Sequence, residues 1–283
     1  MTDYVRPRTL RDALKARADH ADYTVLAGGT DLMVGAMYRD ASGGVIDVWG
    51  VDGLVGIDLV DDGALRIGAS TTYAQLLASD DARAHAPALV AAAREVGALQ
   101  IQARGTLGGN VGTSSPVGDT LPVLLALDAS VELASVHGER TVPYEDFCTG
   151  YRATALAPDE LIVAVRIPAA AREQRQFWRK VGTRRAQSIS KVMVAAAGRL
   201  DRKGVVVNAR IGLGAVKEMP IRARAAEAAL IGVAPTAEVA ERVRAAVQTD
   251  ISPIDDVRST ADYRRKVAAN VVARFVEWLG YGV

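Results

Sequence analysis

Two stretches of this 283-residue chain carry the residue types that grip an anion: "LAGGTDL" at 26–32 and "RGTLGGNVGTSSPVGD" at 104–119. Glycine reaches positive φ at no steric cost and lets a ligand approach the backbone closely. Consecutive amides in such turns form a concavity that attracts negative charge, more strongly where a helix begins. Thr30, Thr106, Asn110, Thr113, Ser114 and Ser115 add short side chains that hydrogen-bond phosphate or sugar oxygens. Two segments of this kind, far apart in sequence, suit a dinucleotide whose diphosphate is gripped from two sides. Neither holds G-x-G-x-x-G or G-x-x-x-x-G-K-[ST], which excludes a Rossmann fingerprint and a P-loop. On residue types alone a second reading stands beside the first. The glycines could serve only as turn residues, among the serine, threonine and proline of ordinary loops.

Little else in the chain offers chemistry. Cys148 is the single cysteine, and the three histidines, His20, His85 and His137, lie far apart. No metal site and no disulfide within the chain is therefore expected. No nucleophile–base pair emerges. A net charge of +1 gives no nucleic-acid footprint. The N-terminal residues are charged rather than apolar, and no run of 18 apolar residues occurs. The expectation is a soluble, cytoplasmic protein without a membrane span.

The elements that must position the two segments follow from pattern. Thr9 reads as an N-cap with Asp12 in the first turn of a helix. A short strand covers Tyr23–Ala27, ends at Gly28 and Gly29, and gives way to a helix capped by Thr30 or Asp31 and running to Met37. "GVIDVWG" is a further strand. Val55, Ile57, Leu59, Leu65 and Ile67 form a hairpin turning at Asp62-Gly63. Residues 71–79 and 80–97 are helical. A helix follows the long glycine-rich loop, then a hairpin at His137-Gly138, then the strand "ELIVAVRIP". A composition break at 169–176 precedes strands and three helices near 222–230, 236–249 and 259–279. Strands grouped before helices indicate α+β rather than a doubly wound parallel sheet.

Four segments in order, "VLAGGTDLM", "QIQARGTLGGNVGTSSPVGDTLPVLLALDA", "FCTGYRATALAPDELIVAVRIP" and "FWRKVGTRRAQSISKVMVAAAGRL", resemble the FAD-binding (medium) subunit of molybdenum hydroxylases. That family includes carbon monoxide, xanthine and nicotinate dehydrogenases. The closing "SPIDDVRSTADYRRKVAANVVARFVEWL" is similar to its last helix. The resemblance implies a two-subdomain, vanillyl-alcohol-oxidase-like (PCMH-type) FAD fold over 1–54 and 55–172, and a C-terminal α+β domain over 173–283. It implies a diphosphate wrapped by Val25, Leu26, Ala27, Gly28, Gly29, Thr30, Asp31 and Leu32, and gripped opposite by Thr106, Leu107, Gly108, Gly109 and Asn110. Asp119 would meet a ribityl or ribose hydroxyl, Thr113 and Ser115 would either touch the ribityl chain or only hold Asp119 in place, and Ile162 would meet the adenine or flavin. Lys180 would lie at the isoalloxazine edge and favour its reduced anion; Val96 is a looser match. The implied partners are a large molybdopterin subunit and a small subunit with [2Fe–2S] clusters, in a dimer of heterotrimers. Electrons would pass through FAD to NAD, a quinone or oxygen. With no histidine in either glycine segment, the FAD would be held non-covalently.

Two other functions are weighed against this one: a flavin-free assembly subunit of the same complex, and a stand-alone FAD-dependent reductase. Intact "AGGTD" and "TLGGN" argue against the first, and the C-terminal module against the second. Cys148 is read as a small buried residue, and Tyr151 and Arg152 either as flanking the flavin or an acceptor path or as a wedged interface aromatic and an ion-pair partner. Arg184 and Arg185 are read as either a solvated pair or a site for a phosphate or an acidic partner. Trp49 and Trp278 are read as core or interface residues. Tyr263, Arg264, Arg265 and Lys266 are placed on the solvent face of the last helix.

Overall fold

The computed structural model describes residues 3–36, 43–185 and 187–281. The expected end of the second helix at Met37 falls outside them. Mixed helix and sheet bear out the α+β class. Tyr4–Val5, Val45–Asp47 and Thr24–Leu26 form a small parallel sheet in that order. A five-stranded antiparallel sheet runs Ile57–Leu59, Leu65–Gly68, Leu161–Ile167, Ser130–Ser135, Gly138–Pro143. A four-stranded antiparallel sheet runs Arg175–Val181, Val192–Leu200, Val206–Gly214, Ile221–Arg222. The expected hairpins turn at Gly63 (φ +78°) and Gly138 (φ +140°).

Leu161–Ile167 is the central strand and, Arg166 apart, is apolar on both faces, as covering from both sides favours. Leu161 and Val163 pack with Ala13, Ile46 and Leu54, against the parallel sheet. Val165 and Ile167 pack the other way, with Leu89, Leu124 and Val131. Its register to Ser130–Ser135 shifts between Ile162 and Ala164. This bulge at Val163 turns Ile162 to the same face as Val165, the role bulges play where a side chain must be re-aimed.

The third sheet is closed by the last helix, Ala261–Tyr281, through Val272, Phe275, Val276 and Leu279. Its other face, with Ala195 and Ala197, joins the core of the five-stranded sheet. Contact is close because Gly212 has no side chain. A Cβ there would sit 2.0 Å from the Pro122 carbonyl oxygen, on the helix Leu121–Ala126.

Three expectations need correction. Residues 80–97 are not one helix: Pro87 splits them into Asp80–His85 and Pro87–Arg94, with Ala86 at φ −133°, because proline bars its predecessor from helical backbone. The 104–119 stretch is not all loop, since Leu107–Thr113 is helical. Arg264 does not face solvent; it is buried and donates to the Ala215 carbonyl at 2.9 Å and to Asp256 Oδ1 at 2.7 Å.

Candidate functional site

A cavity of about 490 Å³ lies between the parallel sheet and the five-stranded sheet, and both glycine segments line it. The first arrives from the strand Thr24–Leu26 and leaves into the helix Leu32–Ala36. Gly29 makes the turn at φ +76°, a conformation that excludes most side chains. Among the described residues, the amides of Gly28, Gly29, Thr30, Asp31 and Leu32 donate to no protein acceptor. A row of unpaired donors on a cavity wall requires an acceptor from outside the chain or from water.

The second segment is fixed more rigidly. Thr106 caps its helix, its Oγ1 accepting from Gly109 N at 3.0 Å. Leu107 N and Gly108 N donate to the carbonyls of Thr71 and Ala69. Gly108 must be glycine, because a Cβ would lie 2.6 Å from Ala69. On the cavity side, Gly109 and Gly112 present a helix face without side chains. A Cβ on Gly112 would meet only Ile162 Cδ1, at 3.4 Å. Asn110 Oδ1 accepts from Thr120 Oγ1 at 2.6 Å, which leaves the Asn110 amide hydrogens as donors.

Further along, Asp119 lines the cavity with both oxygens engaged from behind. Lys180 Nζ donates to Oδ2 at 2.7 Å and Ser190 Oγ to Oδ1 at 2.8 Å. Burial pushes the Asp119 carboxyl up, while Lys180 and these hydrogen bonds pull it back. Burial also raises the Tyr73 phenol far above its ordinary value, so its proton stays in place at neutral pH. At another part of the wall, Glu160 is held below the usual carboxylate range by Arg140, which donates to both its oxygens at 2.6 and 2.8 Å.

Of the residues expected at the site, Val25 to Leu32, Thr106, Gly108, Gly109, Asn110, Thr113, Ser115, Asp119 and Ile162 line this one cavity. Leu107 and Lys180 do not. Leu107 is buried in the core, where it anchors the helix. The Lys180 side chain is 2% exposed and stands behind Asp119, which takes up its charge. Val96 is on the wall. Ser70, Tyr73, Gly112, Val117 and Glu160 line it as well and were not anticipated. Gly112, three residues after Gly109 in the same stretch, could have been found from helical spacing; the others carry no local signal.

Arg152 pairs with Asp31 at 3.3 Å, and Tyr151 is exposed. Arg185 borders a shallow recess with Ala91, Arg94 and Glu95. Cys148 is buried between Ser114 Oγ and Tyr144 Oη, each at 3.2 Å. Trp49 lies beneath the Arg104 guanidinium, and Trp278 packs with Phe177 and Phe275. Among the described residues no cluster of His, Cys, Asp and Glu could hold a metal ion, and no helix is long and apolar enough to cross a membrane.

Comparison with known proteins gives two family matches: the FAD binding domain in molybdopterin dehydrogenase over residues 1–170, and the CO dehydrogenase flavoprotein C-terminal domain over 178–279. The chain is 33% identical over 263 residues to a xanthine dehydrogenase FAD-binding subunit of Escherichia coli O157:H7, covering 92% of this chain and 90% of that one. It is 31% identical to the nicotine 6-hydroxylase medium subunit of Paenarthrobacter nicotinovorans, covering 96% and 95%. Among solved structures, CO dehydrogenase from Oligotropha carboxidovorans superposes with a TM-score of 0.92 at 30% identity, over 98% of this chain and 96% of that one.

Proposed function

The chain belongs to the family of FAD-binding subunits of molybdopterin dehydrogenases, and from that membership we propose that it receives electrons from [2Fe–2S] clusters of a small partner subunit and passes them to an external acceptor, which could be NAD, a quinone or oxygen. It is thus an oxidoreductase subunit. The complex we propose adds a large molybdopterin subunit, doubles into a dimer of heterotrimers and works in the cytoplasm.

The observation that carries this reading is the shared cavity, where unpaired amides of one segment stand with the glycine face of the other. These residues fit a dinucleotide. The Gly28–Leu32 amides and the Asn110 side-chain amide would hold the diphosphate as hydrogen-bond donors. The bare surface at Gly109 and Gly112 would admit it without steric hindrance. Asp119 would accept from a sugar hydroxyl, and Ile162 and Val96 would cover apolar ring surface. Bound there, FAD supplies the redox chemistry. The chain's own part is to bind, orient and shield: Tyr73 keeps its proton, and Asp119 neutralises the Lys180 ammonium.

We also propose the division of the chain into 1–54, 55–172 and 173–283. The separate core of the C-terminal sheet and its helices supports the last of these units, and the parallel sheet, distinct from the five-stranded one, supports the first.

The test is direct. The full chain, purified with its partners, is expected to carry one non-covalent FAD, released by acid and read from visible absorbance. Protein without flavin, and with no affinity for added FAD, would overturn the proposal.

A further inference from the structure

Asp119 belongs to the cavity wall, yet what holds it comes from the C-terminal sheet. Lys180 lies in the strand Arg175–Val181. Ser190 lies at the other foot of the hairpin that this strand begins, closed where Lys191 N donates to the Val181 carbonyl at 2.8 Å. Ser190 is 1% exposed, so its hydroxyl has no ready exchange with water. Each carboxylate oxygen offers about two acceptor positions. With one taken on each by Lys180 and Ser190, each keeps capacity for a ligand hydroxyl.

The two donors differ in what they do. Lys180 compensates charge and also bonds the Glu95 carbonyl at 3.3 Å. Ser190 is neutral, and among the described residues its hydroxyl bonds Asp119 Oδ1 alone. The torsion that rotates a carboxylate is broad and weakly restrained. Held by Lys180 through one oxygen, the group can still turn; the second bond stops it.

We propose that Ser190 is a positioning residue for Asp119, fixing the carboxylate in the orientation that receives a sugar hydroxyl of the cofactor. Retention of the cofactor then depends on the C-terminal sheet being docked, although no residue of that sheet lines the cavity. The proposal rests on the FAD reading above.

A double-mutant cycle on the full chain tests it, with FAD affinity read from quenching of flavin fluorescence. S190A is expected to bind FAD about tenfold more weakly, the scale of one hydrogen bond to a charged group. S190T, which keeps the hydroxyl, is expected within about threefold of wild type. In a D119A background, S190A is expected to add no further loss. Wild-type affinity in S190A would overturn the proposal, as would equal losses in both backgrounds. Should S190A not fold, S190C takes its place: its weaker donor is expected to give an intermediate affinity, and an affinity equal to wild type would count against the idea. A wild-type chain that takes up no FAD would overturn the underlying reading, and this proposal with it.

Discussion

The backbone of Gly28 touches the carbonyl of Arg104: a Cβ on Gly28 would lie 1.8 Å from that oxygen. The guanidinium of the same arginine stacks 3.7 Å over the Trp49 ring. The first glycine segment is therefore seated directly on the residue that leads into the second. Protein contacts, not the ligand, set the distance between the two walls of the site, so the site is preorganised.

Gly28→Ala should break that seat. Overpacking of this depth forces backbone movement and costs about 1–3 kcal/mol. The movement falls on the cavity, so flavin content should drop far more than stability. The expected result is a chain that unfolds only a few degrees early yet purifies with little FAD. As a control, Gly150→Ala should retain its flavin, since a Cβ there meets only Ala153 at 3.8 Å.

Gly112 makes the opposite case, because its empty space is in the cavity. A Cβ there meets nothing nearer than Ile162 Cδ1 at 3.4 Å. Gly112→Val should leave the fold intact, with FAD affinity lowered at least tenfold, because the new methyls would occupy the surface proposed to receive the cofactor. Unfolding temperature and flavin titration separate the two effects. A valine variant with unchanged affinity would show that this helix face is not in contact with the cofactor.

Acid should weaken one part of the wall. Arg140 and the Ala157 amide, at 2.7 Å, hold the Glu160 carboxyl below its ordinary value. A carboxyl lowered in the folded state stabilises the protein above its unfolded pKa, about 4.3. That contribution is lost as pH falls through the folded value. Arg140 is half exposed, so its removal should cost only about 1 kcal/mol at neutral pH. Arg140→Met should therefore be less stable than wild type at pH 7 and converge on it towards pH 3. Urea unfolding across that range reads the gap, and a constant gap would contradict the assignment.

The two glycine segments were legible because glycine in such density serves few purposes. Their fine structure was not. Glycine costs about 1 kcal/mol in a helix relative to alanine, so 108, 109 and 112 read as loop. The Thr106 cap and the amide bonds to Ala69 and Thr71 offset that penalty, and the two carbonyls lie far away in sequence. The resemblance puts Lys180 at the isoalloxazine edge and says nothing of its partner Asp119, 61 residues distant. Nothing local says that the two charges meet. Arg264 reads as solvent-facing because its burial depends on the Ala215 carbonyl, 49 residues away. Periodicity finds faces of elements; it does not find what a second sheet will press against them.

That pressing can be tested at Gly212. A Cβ there would lie 2.0 Å from the Pro122 oxygen and 3.2 Å from Leu125 Cβ, so Gly212→Val must push the C-terminal sheet off the helix Leu121–Ala126. The expected cost is about 3 kcal/mol, a fall in unfolding temperature of roughly 6–12 °C at about 2–4 °C per kcal/mol for a chain of this size. Lys180 and Ser190 retreat with the sheet, so Asp119 loses both of its donors. FAD affinity should then fall in Gly212→Val, although residue 212 lines no part of the cavity. A destabilised variant with full flavin affinity would mean that the cavity holds its shape without the C-terminal sheet.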